Sequence, residues 1–420
     1  MRYVYTLLLV LSLPFVVLRI LMRSLRAPEY RNRILERFGQ SPALAIERSI
    51  WIHSVSVGET QAAVPLIKVL MERYPDLPIV VTTTTPTGSA RVKALFGNKL
   101  YHTYFPYDLP FAINSFLKRA KPRLLVMMET EIWPNLLDIC SKEGIPTILA
   151  NARLSERSAK GYARFGSFTR QTFGNIGLVA AQAPADAERF LGLGVPSGLV
   201  RVTGSIKFDI RLPASLREQA DVLRRQWGDR PVWVAASTHE GEDEQVLEAH
   251  HLIMQQQPDA LLVLVPRHPE RFDRVATLCG SEGFNLARRS TGEPCGEGVS
   301  VFLGDTMGEL TLFLAAADVA FVGGSLVPTG GHNVLEPAAL GVPVVFGSHM
   351  FNFEAISRML IAEGGAVEVV SVDELAATVS SWLGDASERT RIGESGSRVV
   401  KSNRGALDRL LSLVGETLDR

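Results

Sequence analysis

Residues 329–337, TGGHNVLEP, place two glycines, an imidazole, an amide and a carboxylate in front of an apolar stretch, AALGVPVVF. A helix that begins near Asn333 would present free N–H groups and the positive end of its dipole to an anion, and Gly330 and Gly331 would let a ligand approach the main chain. Glu336, one turn into that helix, could accept hydrogen bonds from two hydroxyl groups of a ribose. The pattern predicts a site for a ligand with a phosphate and hydroxyl groups. It has an alternative, because Asn333 and Glu336 also have the spacing of a helix capping box.

Two other segments of the second half carry groups that suit a nucleotide. Arg267, in PRHPER, directly follows the apolar run LLVLV, and its guanidinium fork could bind a phosphate or the edge of a base. The alternative is a surface charge pair with Glu270. The segment GDTMGEL, with Met307 to Glu309, could begin a helix against the same ligand.

The first half offers groups suited to proton transfer and charge neutralisation. Glu59, in HSVSVGET, follows the apolar run WIHSV, where a carboxylate could take a proton from an attacking hydroxyl group. Ser56 and Glu59 again have capping-box spacing, which is the structural alternative. Glu129 and Glu131, in METEIWPN, add carboxylates, and Lys207, in GSIKFD, could neutralise a departing phosphate or be an ordinary exposed lysine.

Apolar runs alternating with amphipathic stretches predict the elements that would position these groups. The strand candidates are SIWIHSV, LPIVVTTTT, PRLLVMME, IPTILAN and IGLVAAQ in the first half and VWVAAST, ALLVLVPRH, GVSVFLG, DVAFVGGS and VPVVFG in the second. Such alternation is typical of parallel sheets covered by helices on both faces. A charged segment without strand character, residues 211–231, interrupts the series. We therefore expect two doubly wound domains facing a cleft, with ligands beyond the carboxyl ends of the strands.

Residues 3–18, YVYTLLLVLSLPFVVL, contain no charged side chain and are followed by arginines. Positive charge downstream keeps that side of a membrane segment cytoplasmic, and the sequence after the apolar run fits a signal-peptide cleavage site poorly. We predict an uncleaved anchor over residues 3–25 that either spans the membrane or lies in its interface; a buried core helix is the alternative. The predicted organisation is an anchor with a basic segment (1–40), a first domain (41–210) and a second domain (211–420).

Composition and missing motifs exclude several classes of protein. The 44 basic and 44 acidic side chains balance, so net charge does not indicate a nucleic-acid partner. The three cysteines are far apart and odd in number, which excludes a disulfide framework. The sequence has no phosphate-loop, HExxH or CxxC motif and only a poor match to GxGxxG near residue 192, so we expect no nicotinamide or flavin cofactor. It also lacks Asp-x-Asp, the motif that often holds a metal on a nucleoside diphosphate, so we expect any leaving phosphate to be held without a metal. Glu242, Asp243 and Glu244 are expected to be a solvated helix start.

Taken together, HSVSVGE, TPTGSARV, METEIWPNL, NARLSERS, GSIKFD, STHEGE, LVPRHPERF, GDTMGEL and FVGGSLVPTGGHNVLEP resemble the 3-deoxy-D-manno-octulosonic acid (Kdo) transferases of Gram-negative lipopolysaccharide assembly. The resemblance runs from the anchor to the end of the second domain, and is greatest to the proteobacterial members. It implies a GT-B fold with the acceptor site in the first domain and the donor site in the second. It also implies an inverting transfer of Kdo from CMP-Kdo to the lipid A precursor at the cytoplasmic face of the inner membrane. The sequence leaves open whether one or two Kdo residues are added, and the likeness to proteobacterial members favours two.

The resemblance also implies roles for individual residues. Glu59 matches the proton acceptor of the family, and Glu129 and Lys207 match residues that stabilise the transition state. The segments that match CMP-binding residues are Pro266 and Arg267, then Met307, Gly308 and Glu309, then Asn333, Val334, Leu335 and Glu336.

Two other functions remain open from the residues alone. A nucleotide-sugar epimerase would have a related two-domain fold, but a soluble epimerase needs neither the anchor nor its arginines. A non-catalytic nucleotide-sugar-binding protein at the membrane would use Glu59 only as a helix cap.

Overall fold

Two seven-stranded parallel sheets, one in each of two structural units, form the frame of the chain. The computed structural model describes residues 1–41 and 46–419. Residues 42–45, near the start of the predicted first domain, and Arg420 lie outside the described residues, as does the side chain of Arg26. Contacts group Met1–Asp209 with Arg404–Arg420 as the first unit and Ile210–Asn403 as the second. The predicted second domain ran to residue 420, whereas the last residues of the chain belong to the first unit.

The strands of the first unit are β1 (Ser49–His53), β2 (Ile79–Thr83), β3 (Tyr101–Tyr104), β4 (Pro122–Met128), β5 (Thr147–Ala152), β6 (Leu178–Ala181) and β7 (Val200–Val202). They form one sheet in the order β3-β2-β1-β4-β5-β6-β7, and neighbouring strands are parallel.

Helices connect these strands and cover the sheet. They are α1 (Arg2–Arg26), α2 (Val57–Arg73), α3 (Pro86–Phe96), α4 (Pro110–Ala120), α5 (Pro134–Lys142), α6 (Glu156–Ala163), α7 (Ser167–Gly174), α8 (Pro184–Gly192) and the C-terminal α17 (Ala406–Leu418). Short 3-10 turns occur at Pro28–Tyr30, Ile34–Phe38, Ser197–Leu199 and Ile206–Phe208.

The strands of the second unit are β8 (Val232–Thr238), β9 (Leu261–Pro266), β10 (Leu286–Arg288), β11 (Val301–Leu303), β12 (Val319–Val322), β13 (Val344–Gly347) and β14 (Ala366–Val369). They form one parallel sheet in the order β10-β11-β9-β8-β12-β13-β14. Its helices are α9 (Leu216–Trp227), α10 (Asp243–Gln256), α11 (Phe272–Ser281), α12 (Leu310–Ala315), α13 (Leu335–Leu340), α14 (Glu354–Ala362), α15 (Val372–Gly384) and α16 (Ala386–Ser402), with a 3-10 turn at Pro269–Arg271.

Central strands are apolar throughout because both of their faces are buried. In β1, Ile50 and Ile52 join one hydrophobic cluster and Trp51 joins the cluster on the opposite face of the sheet. Alternate residues of a strand point to opposite faces, so a strand covered on both sides needs an apolar residue at nearly every position. The C-terminal helix α17 packs into the first of these clusters with buried side chains from Ala406 to Leu418.

The predicted fold class is confirmed, and so are the ten predicted strands, which correspond to β1, β2, β4, β5, β6, β8, β9, β11, β12 and β13. The four strands that the sequence did not reveal lie at the edges of the two sheets: β3, β7, β10 and β14. Residues Arg2–Leu25 form a helix that is long and apolar enough to cross a membrane.

Candidate active site

Strand order brings the predicted catalytic groups of the first unit to the side of its sheet where the carboxyl ends of the strands lie. Glu59 follows β1, Glu129 follows β4, and these two strands are neighbours. Lys207 lies in the turn Ile206–Phe208, which follows β7. Because all strands of a parallel sheet have their carboxyl ends on the same side, loops from separate parts of the sequence lie close together there.

Glu59 is half-buried at the start of α2 and takes part in the cap of that helix. Its N–H donates to Ser56 Oγ at 3.3 Å, while its carboxylate accepts the Val55 N–H at 2.8 Å and the Ser56 hydroxyl at 3.0 Å. Burial raises the pKa of the Glu59 carboxyl; the hydrogen bond from Val55 opposes this rise, and the negative charges of Glu131 and Glu129 add to it. The capping interpretation therefore describes the local geometry, and the same carboxylate has the raised pKa that suits a general base.

Glu129 has a backbone φ of +56°, which is uncommon for a residue with a side chain. Its N–H donates to the Ala150 carbonyl oxygen at 2.9 Å, and its carboxylate lies 3.8 Å from Arg153 Nε. Strained backbone of this kind persists where surrounding contacts hold it and is concentrated at functional sites.

Lys207 is positioned by a residue that sequence reasoning did not single out. Asn151, at the end of β5, accepts the Ile206 N–H at 3.1 Å through Oδ1 and so fixes the turn that carries Lys207. Asn151 also has a positive φ, +52°. Burial lowers the pKa of Lys207, and the negative charge of Glu129 opposes that change, which places Lys207 in the field of Glu129.

Glu131 adds a second carboxylate close to Glu59. Its Oε2 accepts the indole N–H of Trp133 at 2.9 Å and lies 3.6 Å from Nε2 of the buried His53. The other ring nitrogen of His53 is 3.0 Å from Thr82 Oγ1. The first unit therefore gathers Glu59, Glu129, Glu131 and Lys207 within one electrostatic cluster.

The predicted donor residues of the second unit follow three strands of its sheet. Pro266 ends β9, and the exposed Arg267 follows it, with its N–H donated to the Thr238 carbonyl oxygen at 3.0 Å. Met307 has 64% of its surface exposed, and Gly308 has a φ of +88°.

Glu309 comes directly before α12 and is paired with Arg289. Arg289 donates to both carboxylate oxygens, at 2.6 and 3.0 Å, and the Thr306 hydroxyl donates to the same group. The Arg289 guanidinium lowers the pKa of the Glu309 carboxyl. The Glu309 side chain is thus held by protein groups, so this segment would contact a ligand chiefly through its main chain.

The helix after GGHN begins later than predicted, since α13 spans Leu335–Leu340. Asn333 Oδ1 accepts the Leu335 N–H at 3.1 Å, and the Asn333 amide donates to Glu336 Oε1 at 3.0 Å. Val334 and Leu335 have fully buried side chains, which leaves Asn333 and Glu336 to supply polar side-chain groups. Burial raises the pKa of the Glu336 carboxyl, and the hydrogen bond from Asn333 opposes the rise.

Glu242 is fully buried, contrary to the expectation that it belongs to a solvated helix start. Its Oε2 accepts the N–H groups of His239 at 3.1 Å and Gly324 at 2.7 Å. Its Oε1 accepts those of Ser325 and Leu326, both at 2.9 Å. Burial raises the pKa of the carboxyl, and the N–H donors oppose that rise. This carboxylate holds the loop after β12 against the end of β8.

Asp243 is also buried, so the expectation of a solvated start was wrong for two of the three acidic residues. It accepts a hydrogen bond from the Thr238 hydroxyl at 2.6 Å and pairs with Arg271. Glu244 is exposed, as expected.

Three histidines lie together beside this loop. The Nε2 atoms of His239 and His332 are 2.7 Å apart, and their ring planes differ by 8° with centroids 5.0 Å apart. His268 stands edge-on to His239 at 5.4 Å. Burial lowers the pKa of His332 to about 4 and also lowers that of His239, so both rings are neutral at pH 7 and one ring donates its N–H to the other. Sequence reasoning noted His332 but not its partner.

Two family models match the chain, one in each half. Residues 32–210 match the model described as 3-deoxy-D-manno-octulosonic-acid transferase (kdotransferase), and residues 229–399 match that of glycosyl transferases group 1. Two doubly wound parallel sheets and these matches define a glycosyltransferase of the GT-B class.

Relatives match over the whole length of the chain. The 3-deoxy-D-manno-octulosonic acid transferase of Haemophilus influenzae is 46% identical over 100% of this chain and 99% of its own, and that of Bordetella pertussis is 38% identical over 99% of both. The chain belongs to the 3-deoxy-D-manno-octulosonic acid transferase family, which confirms the resemblance noted from the sequence and the prediction of a glycosyltransferase.

The fold itself is shared more widely. A UDP-N-acetylglucosamine 2-epimerase from Listeria monocytogenes, described as putative, superposes with a TM-score of 0.55 at 14% identity, covering 88% of this chain and 96% of its own. At that identity the likeness concerns the fold alone.

Proposed function

We propose that this protein transfers Kdo from CMP-Kdo to the lipid A precursor, lipid IV(A), at the cytoplasmic face of the inner membrane. The transfer inverts the anomeric carbon, and two Kdo residues are added in succession. The observation that carries the proposal is the environment of Glu59, a half-buried carboxylate at the carboxyl end of the sheet whose pKa is raised and which lies in the field of two other carboxylates.

In the proposed step, a hydroxyl oxygen of the acceptor attacks the anomeric carbon of Kdo, and the bond from that carbon to the CMP phosphate breaks. Glu59 takes the hydroxyl proton, and CMP leaves with the bonding electron pair. A single displacement of this kind inverts the anomeric centre. A carboxylate whose pKa is raised toward the working pH is still largely ionised, and it binds the proton more strongly than an ordinary carboxylate does.

Lys207 and Glu129 are proposed to act together in stabilising the negative charge that develops on the departing CMP phosphate. Lys207 would stabilise the phosphate of the departing CMP. Its burial favours the neutral amine, and Glu129 opposes that effect and so supports the charged form. CMP leaves as a monophosphate, so the proposal assigns charge neutralisation to this lysine and to N–H donors, without a metal. A transfer rate that is unchanged by a chelating agent is the expected result.

The second unit would hold CMP through Pro266 and Arg267, the segment Met307–Glu309 and the segment Asn333–Glu336. Arg267 is exposed, which leaves its guanidinium free to reach a phosphate or a base edge. Glu336 would exchange its bond from Asn333 for ribose hydroxyl groups. Val334, Leu335 and Glu309 have side chains that are buried or paired with protein groups, so they would contribute main-chain atoms.

The proposed acceptor is a phosphorylated lipid, which requires the protein to work at a membrane. The apolar helix α1 supplies a hydrophobic element for this purpose. Exposed arginines close to it, Arg19, Arg23 and Arg31, would attract anionic headgroups and the phosphates of the acceptor. Each basic residue near an anionic surface contributes about 1 kcal/mol.

The test is the Glu59→Gln variant, assayed with CMP-Kdo and lipid IV(A) by the mass of the product. Glutamine can still accept the Val55 N–H and cap α2, but it is a poor base. We expect transfer to slow by about 10²–10⁴-fold with the affinity for CMP unchanged. The matched control is Glu72→Gln, an exposed carboxylate on the same helix, which should transfer normally. Normal transfer by a folded, CMP-binding Glu59→Gln protein would refute the role of Glu59 as base.

The same assay separates the proposal from the other two functions. An epimerase would convert a nucleotide sugar without needing the lipid, and a non-catalytic binding protein would bind CMP-Kdo and release it unchanged. The mass of the lipid product also counts the Kdo residues added, and a product with a single Kdo at completion would contradict the proposed second addition.

A further inference from the structure

Helix α1 has one half-buried stripe that runs along its whole length. The residues with reduced exposure recur three or four positions apart: Arg2, Tyr5, Thr6, Leu9, Ser12, Leu13, Val16, Val17, Ile20 and Ser24. Residues at this spacing lie on one face of a helix. A helix that projected freely from the protein would expose its faces alike, so α1 lies along the first unit. The small hydroxyl side chains of the helix, Thr6, Ser12 and Ser24, all belong to this stripe.

The N-terminal end of α1 is bonded to the body of the first unit. The Tyr5 hydroxyl donates to Asp108 Oδ2 at 3.0 Å, and the Thr6 hydroxyl donates to Asn135 Oδ1 at 3.1 Å. Asp108 is itself buried and also accepts the N–H groups of Asn135 at 3.0 Å and Leu136 at 2.8 Å, at the start of α5. Burial raises the pKa of Asp108 to about 6. A buried carboxylate of this kind needs its donors, and one of them comes from α1.

An ion pair reinforces the same attachment. Arg2, in the first turn of α1, pairs with Asp138, which also pairs with Lys142 at 2.9 Å. Tyr5 adds a ring contact with Phe168 of α7, with centroids 5.8 Å apart. The first turns of α1 thus contact α5 and α7, which are connecting helices of the sheet.

The segment that follows the C-terminal end of α1 is held by the same unit. It leads through Pro28–Tyr30 into the turn Ile34–Phe38, where Glu36 is buried. Glu36 Oε2 accepts the Tyr104 N–H at 2.9 Å and the Thr103 hydroxyl at 2.8 Å, both from β3. The N-terminal end of the helix and the segment that follows its C-terminal end are therefore fixed to one folded unit.

A helix of 25 residues is about 37 Å long at 1.5 Å per residue, enough to cross a hydrocarbon layer of about 30 Å. If α1 crossed the membrane, its two ends would lie on opposite sides. The N-terminal end and the segment after the helix both contact one unit, whose loops and sheet edges cannot enter hydrocarbon, and these contacts exclude that arrangement.

The face of α1 opposite the stripe is apolar and exposed. Its large side chains include Phe15 with 75% and Leu25 with 85% of their surface exposed, together with Tyr3, Val4, Leu7, Leu8, Val10, Leu11, Leu18, Leu21 and Met22. Arg19 and Arg23, near the C-terminal end of the helix, are also exposed. An apolar face accompanied by arginines suits the boundary between the acyl chains and the anionic headgroups of a bilayer.

We infer that α1 does not cross the membrane but lies in its plane, with the exposed apolar face embedded in one leaflet and the stripe against the first unit. This inference rests on the proposed membrane location and adds the topology. The occupant of the apolar face is one leaflet of a lipid bilayer, and both ends of α1 remain on the side of the catalytic units.

The first test joins the N-terminal end of α1 to α5 in isolated membranes that contain the full-length protein. Thr6→Cys with Asn135→Cys replaces a pair of side chains in contact, and an oxidant should link them, as seen by a reducible shift in gel mobility. Leu7→Cys with Asn135→Cys is the matched control, because Leu7 lies on the exposed face, and it should not link. The native cysteines are buried and should not interfere. A linked protein that still transfers Kdo supports the in-plane arrangement.

The second test does not depend on whether cysteines in α1 and α5 come close enough to form a disulfide. A variant with one cysteine inserted between Met1 and Arg2, just before the embedded face of α1, is treated in intact spheroplasts with a membrane-impermeant maleimide, before and after permeabilisation. An in-plane helix predicts labelling only after permeabilisation, whereas labelling of intact spheroplasts would overturn the inference and leave the Kdo transfer proposal standing. Recovery of an active protein from the soluble fraction alone would instead refute the proposed membrane location.

Discussion

Replacing Glu242 with glutamine should loosen the second unit, although the two side chains have nearly the same shape. Each carboxylate oxygen of Glu242 accepts two N–H groups, Oε2 from His239 and Gly324 and Oε1 from Ser325 and Leu326. A glutamine keeps one acceptor oxygen and turns the other into an NH₂ group.

Either orientation of that glutamine leaves two main-chain N–H groups facing the NH₂ group. In one orientation these are the buried Gly324 N–H and the partly buried His239 N–H. In the other they are the buried Ser325 N–H and the partly buried Leu326 N–H. A buried donor without a partner costs about 1–3 kcal/mol, so the two together predict a loss of about 2–6 kcal/mol in the free energy of unfolding.

Urea unfolding of the full-length chain, followed by circular dichroism, measures this loss. Hydrogen exchange read by mass spectrometry localises it, because the amides of residues 324–326 should exchange faster in the variant. The control is Glu244→Gln, two positions along the same helix start, where the side chain is exposed and the change should stay within about 0.5 kcal/mol.

Equal free energies of unfolding for Glu242→Gln and Glu244→Gln, with unchanged protection of the amides of residues 324–326, would contradict this prediction. In that event the loop after β12 would be held by other contacts, and the buried carboxylate would not be its main support.

Two further predictions concern the first unit. Transfer requires ionised Glu59, so the rate should fall as the pH drops through the pKa of Glu59. The negative charge of Glu131 raises that pKa, so Glu131→Gln should lower it and move the acid limb of kcat/KM to lower pH. The control Glu143→Gln changes an exposed carboxylate and should leave the acid limb in place. An acid limb that stays in place in Glu131→Gln would contradict the electrostatic coupling. Asn151→Ala removes the acceptor of the Ile206 N–H and places alanine at a φ of +52°, so it should lower the free energy of unfolding by about 1–3 kcal/mol and slow transfer with CMP affinity unchanged. Asn151→Gly relieves only the backbone strain, and full transfer by that variant would show that the hydrogen bond to the Lys207 turn is dispensable.

The fold could be predicted from the sequence where burial imposes a pattern. Central strands need apolar residues on both faces, and all ten strands predicted on that basis are present. The edge strands have weaker patterns because they are short and partly polar: YHTY in β3, VRV in β7, LAR in β10 and AVEV in β14. These segments become strands because each pairs with the next strand of its sheet, and that pairing is a tertiary contact that the local sequence does not reveal.

The positions of Glu59 and Glu129 after β1 and β4 could be predicted from the sequence because each directly follows a strongly apolar run, whereas their catalytic roles stay predictions. The environment of a candidate residue could not be predicted where contacts with distant parts of the chain decide it. Glu242 resembles a solvated helix start in its local sequence, and its donors come mostly from a loop about eighty residues later. Asn151 likewise gives no local signal of its bond to Ile206.

The C-terminal helix α17 has a consequence for the order in which the chain can fold. Leu407 and Leu410 pack in the core of the first unit, and Asp209 accepts the N–H groups of Gly405 and Leu407 at 2.6 Å each. The second unit is therefore an insertion between two parts of the first. During synthesis, the ribosome must finish the last residues of the chain before the unit that contains Glu59 can close its hydrophobic interior, so a nascent chain released early would leave that interior open to water and to proteases.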